Sequence, residues 1–190
     1  LSQLYDIQEI DLGTGGTIPE GTRAILVVSP QTELSDAEKK SLDDFLVKGG
    51  SVAFLLNDLM VDERTLEPRP ITHNLQSFLA GYGVKVGPGL VLDAECATIT
   101  IQQQRRMIRF GQPVQYPFMP VPRKIDASHP LTRGLTELSL PFMSPIEVES
   151  KTASVESHVL VRSSGKSWVV QPPYNTDPLQ QWSPTIAQGE

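Results

Sequence analysis

The residue to weigh first for chemistry is Cys96, the single cysteine of the chain. A thiol becomes nucleophilic when a histidine or a glycine-flanked strand-to-helix elbow exposes and activates it. Cys96 stands in DAECATI, with no glycine or histidine beside it. The reading expected for it is a semi-buried small residue at a strand edge. The three histidines, His73, His129 and His158, are scattered and form no H-x-x-x-H or H-E-x-x-H spacing, so no zinc site is expected. His73 falls near a helix start and His129 in a turn before Pro130. Asp58, Asp62 and Glu63 follow a strand end. They have the chemistry of a hard-cation site, but a solvated acidic loop is the simpler expectation. The loop Gly13-Thr14-Gly15-Gly16 lacks the G-K-[ST] ending of a phosphate loop, and no helical pattern follows it. It is expected to be a flexible turn, and nucleotide binding is expected to belong to another subunit.

The elements that would position these groups are clearest between residues 23 and 58. RAILVVSP (Arg23 to Pro30) and SVAFLLND (Ser51 to Asp58) are near-continuous apolar runs, as expected of strands buried on both faces of a parallel sheet. Ser35 and Glu38 form the S-x-x-E capping box of a helix, and Gly49-Gly50 ends it. Leu34, Ala37, Leu42, Phe45 and Leu46 make its apolar stripe. Strand, helix and strand with short joints predict a right-handed βαβ unit. A short strand is expected over Tyr5 to Leu12, a loop over Leu59 to Pro70, and a second helix from near Thr72 to Gly81 or Gly83. Extended segments are expected over Val84 to Asp93, Ala97 to Ile101, Ser144 to Glu149 and Glu156 to Ser163. Gly111 to Pro145 carries seven prolines, which predicts edge segments and turns laid over a sheet.

Length and composition bound the rest. One domain is expected over residues 1–170, with a Pro-rich β segment at 111–149 inside it and a flexible tail at 171–190. Hydrophobic residues make up 39% of the chain and charged residues 20%, which fits a folded core and argues against disorder. The net charge of −6 disfavours nucleic acid or an anionic membrane as the main partner. Gln102, Gln103, Gln104, Arg105, Arg106 and Arg109 are the only candidate basic patch, and a solvated surface is the expected state for them. No run of about 18 apolar residues occurs, so any membrane anchor is expected to lie outside this sequence.

Three segments together resemble a known family. They are AILVVSPQTELSDAEKKSLDDFLVKGGSVAFLLND, ASHPLTRGLTELSLPFMSPIEV and VLVRSSGKSWVV. Their order is similar to that of the auxiliary component of uncharacterised ABC-type transport systems, the family that includes the gliding-motility protein GldG. The HP-x-x-x-GL and LP-x-x-SP pair is the most specific part. The resemblance implies a flavodoxin-like, class I glutamine-amidotransferase-like three-layer sandwich with a mainly parallel sheet. It also implies a domain projecting from the bacterial inner membrane into the periplasm or cell exterior, with a separate permease, ATPase or other envelope protein as partner. It brings no catalytic residues. Where active amidotransferases carry a cysteine elbow, this chain reads Asn57-Asp58-Leu59. A non-enzymatic interaction or substrate-binding domain is therefore expected, with a saccharide- or peptide-binding domain as the alternative and a degenerate hydrolase behind it.

Two surfaces follow as expectations. In open α/β sheets ligands bind beyond the carboxyl ends of the strands, which here carry Ser29, Gln31, Asn57 and Asp58, beside the helix start at Ser35; capped loops are the plainer reading. The Pro-rich segment offers Tyr116, Phe118, Met119 and Phe142 as a protein interface, since stiff extended chain loses little entropy on docking. The competing expectation is that these side chains only cover the domain's own sheet.

Overall fold

The computed structural model describes residues 5–13, 16–62, 65–105, 108–149 and 155–182. It falls into two compact units, Leu1–Leu56 with Thr72–Gly81, and Asn57–Ile71 with Tyr82–Glu190.

The first unit is the expected βαβ. Strand β1 (Ala24–Val28) pairs in parallel with β2 (Ser51–Leu55), from Ala24 opposite Ser51 to Val28 opposite Leu55. Helix α1 (Asp36–Val47) connects them. It begins at Ser35 because both halves of the capping box form: the Glu38 N–H donates to the Ser35 hydroxyl, and the Ser35 N–H donates to the Glu38 carboxylate at 2.7 Å. It ends at Gly49, whose φ of +90° only glycine adopts without strain. Gly50 follows because the ring of Phe45 lies where a Cβ would stand, 2.3 Å away. Leu42 is the buried anchor of the helix, and Phe45 is half-buried. A second helix, α2 (Gln76–Gly81), brings Phe78 to Phe54 of β2 with ring centroids 6.0 Å apart. Ahead of it, Asn74 mimics a strand partner: its amide donates to the Leu34 carbonyl at 2.8 Å and accepts from the Leu34 N–H at 3.0 Å.

The strands of this unit are not buried on both faces as expected. Ile25, Val27, Val52 and Phe54 are half-buried, while Leu26, Val28 and Leu55 are each more than half exposed. With two strands and two helices among the described residues, the unit has one covered face.

The second unit is built from antiparallel pairs. β3 (Leu59–Val61) pairs with β4 (Pro68–Pro70), where the sequence suggested only a loop. β5 (Val84–Val86) and β6 (Leu90–Asp93) are separate strands, split by Gly87-Pro88-Gly89. β7 (Cys96–Arg105) and β8 (Ile108–Pro120) form a long ribbon, followed by β9 (Lys124–Ile125). β10 (Ile146–Val148) returns to β5, β11 (Val161–Arg162) to β9, and β12 (Ser167–Val170) to β6. Pro113, Pro117 and Pro120 are tolerated in β8 because β7 is its one ladder partner among the described residues. The core gathers Leu59, Leu90, Leu92, Tyr116 and Phe118. Tyr174 and Trp182, assigned by the sequence to a fraying tail, pack against that core.

The flavodoxin-like, mainly parallel sandwich is therefore overturned. Among the described residues β1 and β2 are the one parallel pair, and the other pairs are antiparallel two-stranded sheets. The physical reason lies in the connections. A further parallel strand needs a crossover of a dozen or more residues, usually a helix, and after β2 the described residues hold only the six-residue α2. Residues 5–12 also form no strand.

Candidate functional site

The crevice residues fall in both units. In the first, Ser29 adopts φ +39° and extends the parallel ladder by donating its N–H to the Leu55 carbonyl at 2.8 Å. Gln31 folds back, its amide donating to the Ser29 carbonyl at 2.9 Å and hydroxyl at 3.3 Å. Ser35 caps α1, and the negative charge at that helix start is supplied internally by Glu38. The Ser35 hydroxyl and N–H hold the Glu38 carboxyl below its ordinary value. In the second unit Asn57 and Asp58 meet Ser144: the Asp58 N–H donates to its hydroxyl at 3.0 Å, and its N–H donates to the Asn57 side-chain oxygen at 3.2 Å. Ser144 is buried, so this pairing ties the end of the Pro-rich segment to the start of the unit.

The structure places the residues of the second surface in or against the core of the second unit. Tyr116 and Phe118 are 1% and 0% exposed, and Met119 and Phe142 are half-buried against the same cluster. Phe142 meets Tyr116 edge-on at 6.0 Å and stacks on Phe118 at 5.9 Å. Alternation along β8 turns Tyr116 and Phe118 inward together, and buried aromatic area of this size belongs to a core.

Of the groups considered for chemistry, the structure brings His129 and His158 together. Cys96 is half-buried, and burial raises its thiol pKa, the opposite of nucleophilic activation. His129 and His158, distant in sequence, lie with ring centroids 6.3 Å apart, and His158 approaches Glu156 at 3.2 Å. Among the described residues no set of three or more His, Cys, Asp or Glu side chains is placed to hold a metal ion. Glu63, Thr14, Gly15 and Arg106 lie outside the described residues, as do the side chains of Gln104, Arg105 and Arg109.

Not legible in the sequence is a cleft of about 460 Å³ in the second unit, lined on one side by Thr65–Pro68 and on the other by Tyr174–Pro178. Thr65, Glu67, Pro68, Tyr174, Asn175 and Asp177 are among its lining residues. Its two walls are clasped together. The Thr176 hydroxyl donates to the Leu66 carbonyl at 2.6 Å, and the buried Tyr116 hydroxyl donates to the Thr176 carbonyl at 2.8 Å. Leu66 holds a left-handed φ of +58°, an uncommon conformation for a leucine. Burial, with a smaller contribution from Asp58, raises the pKa of Tyr174, so its phenol is a neutral donor. The available signal was the run PPYNTDP, where one aromatic stands among turn-forming residues.

No curated protein matches the chain. Among solved structures it is similar to one titled "mmIFT52 N-terminal domain", at 16% identity and a TM-score of 0.44 over 69% of this chain and 53% of that one. The chain thus spans about half the length of that structure. No helix among the described residues is long and apolar enough to cross a membrane. A family model, ABC_transp_aux, described as an ABC-type uncharacterized transport system, matches residues 1–190, and the chain belongs to that family of auxiliary transport components.

Proposed function

We propose that this chain is a non-catalytic binding domain of an ABC-type transport system, facing the periplasm or cell exterior of a bacterial inner membrane and docking on the permease or another envelope protein. The observation that carries this reading is the family match over the whole sequence, 1–190. The chemistry of the side chains supports it: the one cysteine has its thiolate disfavoured by burial, and the carboxylates and hydroxyls at the strand ends serve as caps and clasps. A role in gliding motility is the narrower form of the same proposal. The test is co-purification of the full-length protein with the permease and ATPase of its own system. The expected result is retention by the permease complex. Failure to be retained by any membrane component, or turnover of ester or amide substrates by the purified protein, would refute it.

A second reading is favoured by one specific observation, the cleft of about 460 Å³ beside Tyr174. Its size lies within the ~300–1,000 Å³ of small-ligand sites. On this reading the domain holds a small molecule for the transport system. A rise in melting temperature with ligand, absent when the cleft is altered, is the expected outcome. An unmoved transition across a ligand panel would count against it.

A further inference from the structure

We draw no further inference here: the strongest candidate, the exposed aliphatic face of the β1–β2 pair formed by Leu26, Val28 and Leu55, carries nothing because nothing in the structure shows what covers it.

Discussion

Asp93, fully buried, and Ser164, far apart in sequence, form a pair: the Ser164 N–H donates to the Asp93 carboxylate at 2.7 Å and its hydroxyl donates to the other carboxylate oxygen at 2.5 Å. The Glu95 N–H adds a third donor at 2.9 Å, and the Ser164 hydroxyl accepts from the Lys166 N–H at 3.0 Å. This network locks the turn before β12 onto the end of β6, the most buried strand of the second unit. Asp93→Ala would leave several buried donors unmatched. A loss of about 2–4 kcal/mol is expected, read from the midpoint of denaturant unfolding; a shift near zero would mean that water replaces the carboxylate.

In the first unit the helix anchor is Leu42, while Val47, off the apolar stripe, faces solvent. Leu42→Ala should cost about 2–4 kcal/mol, as for a leucine cut from a packed core, and Val47→Ala less than about 0.5 kcal/mol. Val47 is 80% exposed, against 1% for Leu42. Equal costs for the two would contradict the packing described for α1.

The capping box gives a pH dependence. Because the Glu38 carboxyl is held below its ordinary value by Ser35, its folded pKa lies under the unfolded one. Its stabilising contribution is therefore full above the unfolded value, near 4.5, and is lost as pH falls through the folded value. Ser35→Ala should lower stability by about 1 kcal/mol at neutral pH. The variant and parent stabilities should converge as the medium is acidified. Parallel curves across that range would show that the box does not hold in solution.

Cys96 should react slowly with a mild thiol reagent at neutral pH, because burial disfavours its thiolate. Cys96→Ser should leave ligand and partner binding unchanged. Fast stoichiometric labelling accompanied by loss of binding would place the residue in a site.

The legible part of the chain was the part whose signals are local. The S-x-x-E box, the Gly49-Gly50 stop and two apolar runs lie within about one βαβ unit, and the register from Ala24–Ser51 to Val28–Leu55 follows from them. What sequence could not give was long-range pairing. Nothing near Leu90 announces that Val170 will be its partner, and nothing near Asp93 announces Ser164. The prolines at 113, 117 and 120 suggested a surface segment, yet a strand paired on one side tolerates them while Tyr116 and Phe118 turn inward. Asn74 was unremarkable in sequence, and its role as a strand mimic depends on Leu34, forty residues earlier. The cleft was missed for the same reason. Tyr174 gains meaning only when Thr176 reaches Leu66 across more than a hundred residues.

A binding component of a transporter assembly holds directly to that assembly. The most direct measurement is binding of the full-length protein to the detergent-solubilised permease–ATPase complex of its own system, followed by biolayer interferometry. Saturable, reversible binding that survives Cys96→Ser and Glu67→Gln is expected. Absence of binding at micromolar concentrations to an assembled, ATP-hydrolysing complex would contradict it.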